Sequence, residues 1–222
     1  MTLVDLSHPV EHQMMTYPGL PGPHIDTHLS FEDSVWHYAP GTEFQIGRIS
    51  LVGNTGTYLD TPAHRYRDGH DLAALALERC ADLPVCVVAG DVALGPEAFD
   101  GVSVAGRAVL LHTGWDRHWR TERYGDVAHP HLTEAGARHL VEAGATLVGI
   151  DSVNIDHTGT GERPAHSVLL AAGIPVVEHL TGLGEVRDGD RFFAVPVAIR
   201  GLATFPVRAF VVRGDNLPRA AR

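Results

Sequence analysis

The sequence predicts an α/β fold on a mixed sheet, with a surplus of strands in its first third, and three observations lead there. The chain has 222 residues, 44% of them hydrophobic, enough to bury a large core without disulfides or a structural metal. Residues 1–60 alternate short β-type runs with turn residues and carry weak helical signals. From Leu72 onward strand and helix patterns alternate, the grammar of strand–helix–strand units. Proline and glycine are scattered rather than gathered into a linker and no repeat is present, so residues 1–222 read as one domain.

Taken in order, strands are expected at residues 3–6, 24–31, 44–52 and 55–59, followed by a short Ala/Leu segment at 72–78. Strands follow at 85–88 and 108–111, the second running into His112-Thr113-Gly114-Trp115. Thr133 is placed to cap a helix that runs to Val141 and stops at Gly144. Residues 146–150 form a buried strand ending at Asp151, and residues 165–172 a helix ending at Gly173. Strands at 175–177, 192–199 and 207–212 complete the pattern.

Charge narrows the function. Lys and Arg total 17 against 27 Asp and Glu, a formal charge of -10, which argues against nucleic acid or an anionic membrane as partner and leaves a small molecule. Cys80 and Cys86 flank Pro84 at the entry to a strand and read as core thiols, not a disulfide framework. The stretch from Met1 to Asp5 has neither a basic region nor a long apolar one, so a cytoplasmic protein is expected. Gly159-Thr160-Gly161 completes no phosphate-binding motif, and the segment from Gly101 to Ala105 lacks the second glycine of a nucleophile elbow.

The densest polar stretch runs from Gly53 to His64. If it is extended from Asn54 to Asp60, side chains 54, 58 and 60 share one face, because the strand period is two. Pro62 would then turn the chain and return His64 toward that face, a pattern suited to gripping a cation and placing a base beside it. A polar strand end followed by a proline turn would look the same. A second constellation comprises Asp151, the loop Asp156-His157-Thr158-Gly159-Thr160-Gly161-Glu162-Arg163, His166 and the pair Glu178-His179. His166 opens a helix and Glu178 closes the next strand, so the two meet if that helix packs back on the sheet. Tyr17, Phe31, Trp36 and Trp115 are candidates for an aromatic pocket, and Arg65 for a carboxylate clamp or a surface partner of Asp68.

These regions together resemble the cyclase family of metal-dependent hydrolases, which includes bacterial kynurenine formamidases and isatin hydrolases. The likeness begins at Asp5-Leu6-Ser7-His8-Pro9 and Tyr17-Pro18-Gly19 and continues through Thr113-Gly114-Trp115, Val148-Gly149-Ile150-Asp151 and the segment from Ala172 to Glu178. It is most specific where the family carries H-x-G-T-H-x-D-x-P-x-H, here Asn54-Thr55-Gly56-Thr57-Tyr58-Leu59-Asp60-Thr61-Pro62-Ala63-His64. The resemblance implies a swivelling β/β/α architecture, a homodimer or homotetramer, and water-driven opening of an amide or lactam beside a divalent metal. It also implies that Asp60, His166 and Glu178 are metal ligands and that His64 is the general acid/base.

Asn54 and Tyr58 stand where the family has two histidine ligands. An amide oxygen and a phenol are poor replacements for imidazole toward zinc, since a phenol must first lose a proton of pKa near ~10. Three readings follow. One is a hydrolase with a single divalent ion, zinc or manganese, on Asp60, His166 and Glu178, with Asn54, Tyr58 and His64 at the reacting centre and Arg65 and Trp115 on the substrate. Another is a metal-free lyase, isomerase or cyclase that uses Tyr58 and His64 as its acid/base pair. The third is a catalytically silent small-molecule binder.

Overall fold

The computed structural model describes residues 1–213. In chain order its strands are β1 (Thr2–Asp5), β2 (His24–Leu29), β3 (Ile46–Ser50), β4 (Tyr58–Asp60), β5 (Leu83–Ala89), β6 (Ala93–Leu94) and β7 (Ala108–His112). They continue with β8 (His131–Leu132), β9 (Leu147–Ile150), β10 (Val176–Glu178), β11 (Arg191–Phe193), β12 (Thr204–Pro206) and β13 (Phe210–Arg213). The α-helices are α1 (Phe31–Ser34), α2 (Glu134–Glu142) and α3 (Pro164–Ala171).

One curled mixed sheet has the order β1-β13-β11-β5-β7-β9-β10-β4-β12. Its centre, β5, β7, β9 and β10, is parallel. Parallel strands are covered on both faces and so read as continuous apolar runs, here Ala108-Val109-Leu110-Leu111 and Leu147-Val148-Gly149-Ile150. Period two then divides each run between two cores. Val109, Leu111, Val148 and Ile150 pack with Leu140 of α2 and Leu169 and Leu170 of α3, whereas Ala108, Leu110 and Leu147 pack with Leu6, Phe192 and Val211. The antiparallel strands β4 and β12 extend one edge past β10, and it is there that polar residues enter the buried sheet.

The mixed α/β class and most expected elements are present. Thr133 Oγ1 accepts from the Gly136 amide at 3.0 Å, and Gly144 takes φ +80° just past α2. Cys80 and Cys86 are buried free thiols, both raised to about 11 by burial. The strand expected at 207–212 begins only at Phe210, and four further elements differ. The strand expected at 192–199 ends at Phe193, before Pro196, which cannot donate to a ladder. The one expected at 55–59 begins only at Tyr58, because Gly56 takes φ +64°. Ser30 caps a one-turn helix at Phe31 instead of letting β2 run on. Residues 72–78 hold a turn at 72–74 and the start of a 3₁₀ turn, Leu77–Arg79. Among the described residues no helix is long and apolar enough to cross a membrane.

Candidate active site

Strand register builds the site. β4 lies between β10 and β12, with Tyr58 opposite Glu178 and Asp60 opposite Thr204. Directly opposed residues on one face touch, and both pairs are hydrogen-bonded. Tyr58 donates its phenol hydrogen to Glu178 Oε2 at 2.5 Å, and Thr204 donates its hydroxyl to Asp60 Oδ1 at 2.5 Å. The close seating of β12 depends on Gly53, where a Cβ would lie 2.3 Å from the Thr204 carbonyl oxygen.

After β4, Pro62–His64 forms a 3₁₀ turn with proline at its start, and this returns His64 to the strand face as the spacing anticipates. His64 Nδ1 lies 3.0 Å from Thr204 Oγ1 and 3.7 Å from Asp60 Oδ1. The single hydroxyl hydrogen of Thr204 is given to Asp60, so its oxygen accepts from His64 Nδ1–H. The network therefore assigns the neutral ring a proton at Nδ1 and a lone pair at Nε2. With 36% of the side chain exposed, that ring can reach a ligand.

His166 is supplied by α3. Asp156 accepts from the amides of Ala165 and His166 at 2.6 and 3.0 Å, capping the first turn of the helix, and from His166 Nδ1 at 2.7 Å. This carboxylate–imidazole bond fixes the ring with Nε2 directed at the sheet. There Nε2 lies 3.5 Å from Asp60 Oδ2 and 3.6 Å from Glu178 Oε1. Glu178 Oε1 accepts from the Ile155 amide at 2.6 Å, but Asp60 Oδ2 and His166 Nε2 are buried with no hydrogen-bond partner among the described residues. A neutral imidazole would face two carboxylate oxygens with a lone pair, so the contact is stable only when a proton on Nε2 or a bound cation in its place shares it.

The electrostatics match. Burial alone would lower the His166 imidazole, but Glu178, Asp156 and Asp60 outweigh it and raise the group to about 10. Burial would also raise Asp60, yet the adjacent His166 imidazole, the charge of His64 and the Thr204 hydroxyl hold its carboxyl below the usual range. Burial, opposed by His166 and reinforced by Asp60, raises Glu178 to about 7. Burial and the neighbouring carboxylates push the Tyr58 phenol well above its ordinary value. Donor atoms of Asp60, His64 and His166 lie within 4.8 Å of one another, so these residues can hold a metal ion between them.

A pocket of about 330 Å³ opens over this group, and Asn54, Tyr58, His64, Asn154, Arg163 and Glu178 line it with the turn at Tyr17. Other candidates lie elsewhere. Arg65 donates through Nε to Ser167 Oγ at 3.0 Å in a shallow groove along α2 and α3, outside this pocket. Among the described residues it makes no ion pair with Asp68. Trp115 is buried with Tyr124 and Val153, its Nε1 donating to the Tyr124 carbonyl at 2.9 Å. Trp36 and Phe31 are 85% and 49% exposed. Asp151 ties strand ends together through Thr113 and Gly114, His157 is exposed, and His179 turns away to Tyr124.

Thr204 carries no signal of its own in sequence, whereas Arg163 closes the loop of the second constellation. Thr204 acts through pairing across 144 positions. Asp156 was visible as part of a cluster, and Pro164 at the first turn of α3 marks where an acidic cap would be used.

A parallel-centred sheet carrying a buried Asp–His pair at its antiparallel edge defines the class structurally, and the comparisons give the family. The family model described as "Putative cyclase" matches residues 4–157. The chain is 30% identical to the kynurenine formamidase of Bacillus cereus and 29% identical to that of Bacillus mycoides, each alignment covering 94% of this chain and 96% of the relative. Isatin hydrolase A from Labrenzia aggregata, bound to benzyl benzoate, superposes with a TM-score of 0.79 at 22% identity over 95% of this chain and 93% of that one. A structure described as a potential metal-dependent hydrolase with cyclase activity gives 0.74 at 21% identity, covering 95% and 96%. The chain belongs to the cyclase family.

Proposed function

We propose that the protein is a cation-assisted hydrolase that opens a carbon–nitrogen bond, amide or lactam, in a small aromatic metabolite. The observation that carries this reading is the buried, unpartnered pair Asp60 Oδ2 and His166 Nε2, 3.5 Å apart, with a third oxygen of Glu178 at 3.6 Å from the same nitrogen. The kynurenine formamidase and isatin hydrolase relatives support the bond type. These residues would hold one divalent ion, zinc or manganese, which when bound supplies a Lewis acid and lowers the pKa of water toward roughly 7.

The rest of the chemistry falls to the chain's own side chains. His64 Nε2 takes a proton as a water oxygen bonds to the carbonyl carbon, and returns it to the nitrogen as the C–N bond breaks, leaving a carboxylic acid and an amine. Thr204 and Asp60 hold the ring in the tautomer this requires. Tyr58 spends its only proton on Glu178, so it orients that carboxylate and is not free to pair with His64 in acid/base work. Asn54 lines the same pocket, whose volume of about 330 Å³ accommodates one aromatic ring. The exposed apolar residues Ile25, Phe44, Ile46 and Ile49 on and beside the β2–β3 hairpin favour a homodimer or homotetramer.

The test is elemental analysis of protein purified without chelator, paired with an assay of formanilide hydrolysis. One metal equivalent per chain and metal-dependent turnover support the reading. Turnover undiminished after complete metal removal would overturn it.

A further inference from the structure

We propose that Arg163, with Asn154 beside it, is the anion-reading end of the pocket and selects substrates bearing a carboxylate. The inference deepens the hydrolase reading and rests on it for the reaction, though not for the binding.

Arg163 precedes α3 and lines the pocket that contains His64, Tyr58 and Glu178. Its Nη1 is tethered by backbone carbonyls, Glu162 at 2.6 Å, Thr160 at 2.8 Å and His157 at 3.5 Å. That tether fixes the guanidinium plane and leaves the Nε and Nη2 edge without a hydrogen-bond partner among the described residues. Arg48, Arg120, Arg138, Arg191, Arg208 and Arg213 each pair with a carboxylate. Among the described residues Arg163, like the half-buried Arg107, has no such pair, but Arg163 lines this pocket. A held cation with an open edge in a pocket is what a bidentate carboxylate contact uses.

Asn154 supplies a second donor. Its Oδ1 accepts from the Asp156 amide at 2.9 Å, which assigns the side-chain NH₂ to the remaining direction, and Asn154 is itself a lining residue. Glu178 lines the same pocket, and Asp60 lies behind it at 3.5 Å from the His166 nitrogen that Glu178 also approaches, so a carboxylate is repelled there and attracted to Arg163, while a neutral amide is not repelled. Arg65, the alternative clamp, does not line this pocket and is committed to Ser167 in the groove along α2 and α3, which Arg163 also lines.

Calorimetric titration of the purified protein with benzoate and with benzamide tests this without turnover. Arg163→Gln should weaken benzoate binding by about 10- to 100-fold and leave benzamide unchanged. Equal loss of both ligands would show that Arg163 only braces its loop and would overturn the proposal. So would unchanged benzoate affinity, no benzoate binding by the parent protein, or a loss produced by Arg65→Gln instead. With 2-formamidobenzoate as substrate, Arg163→Gln should raise KM with kcat nearly unchanged, and formanilide should show no such rise. If the parent protein binds benzoate through Arg163 but hydrolyses neither amide, the hydrolase reading fails and the anion site stands.

Discussion

Buried and half-buried histidines fall into two sets in this molecule, and their neighbours favour different protonation states. His166 is ringed by Asp156, Asp60 and Glu178, and they overcome the cost of burial to favour a positive imidazole. His8, His129 and His179 have hydroxyls, carbonyls and aromatic rings for neighbours. His129 bonds Ser152, Thr158 and a backbone carbonyl, His179 bonds Tyr124, and His8 stacks on Trp119 at 4.0 Å. Burial lowers these three to about 4, about 3 and about 4 for His129, His179 and His8. The same side chain, buried alike at His129, His166 and His179, is thus a cation site or a neutral packing element according to where carboxylates are placed. Tyr58 is the boundary between the sets, its hydroxyl on Glu178 and its ring 5.1 Å from His179.

Removing the carboxylate at the centre of the charged set should have the largest effect. Asp60→Asn leaves His166 with a neutral neighbour, and elemental analysis should find the metal lost. Activity should fall by at least about 10³-fold, since several kcal/mol of charge stabilisation disappear. A variant that retains its metal would show that Asp60 is not what makes this set different. His64→Ala should cost about 10²- to 10⁴-fold in kcat with metal retained. Loss of metal instead would make His64 a ligand beside Asp60 and His166, which the 4.8 Å cluster permits. At the boundary, Tyr58→Phe removes one bond to a charged acceptor, a loss of about 2 kcal/mol. Thermal melting should register it as a Tm drop of roughly 4–8 °C with metal content unchanged. The paired change Asn54→His with Tyr58→His should move the boundary, adding about one metal equivalent when micromolar zinc is supplied. A folded double variant that gains no metal would mean that these positions no longer converge with Asp60.

The charged set was largely legible in sequence and the neutral set was not, for physical reasons. Asp60, His64, His166 and Glu178 sit at strand ends and a helix start, places where local pattern dictates position, and the structure brings all four together. The central strands were equally legible, because burial on both faces demands unbroken apolar runs. Arg65 misled because it follows His64 directly, but the 3₁₀ turn that brings His64 inward leaves the next residue facing α3. Trp115 misled because an aromatic after a strand end reads as pocket wall, while its indole N–H is spent on Tyr124. Thr204 and the partners of His129 come from long-range pairing, and no local spacing encodes them.

The smallest expected effect probes the neutral set, where His129 lies away from the metal-ligand candidates. Burial is the main cause of its low value. The Pro130 carbonyl opposes that shift, and His131, His157 and Arg163 reinforce it. An unfolded histidine titrates near ~6.5 and the folded His129 near about 4, so between these values the unfolded chain binds the extra proton. The stability His129 allows is therefore present above pH 6.5 and is lost as pH falls toward 4. His129→Gln keeps a donor and an acceptor for Ser152 and Thr158 but cannot take up a proton. Urea unfolding at several pH values should give the parent and the variant similar stability at pH 7.5. Below pH 6.5 the parent should lose about 1 kcal/mol more per pH unit than the variant. Parallel curves would mean that the folded protein admits a charged His129, and the contrast between the two sets would then rest on His8 and His179 alone.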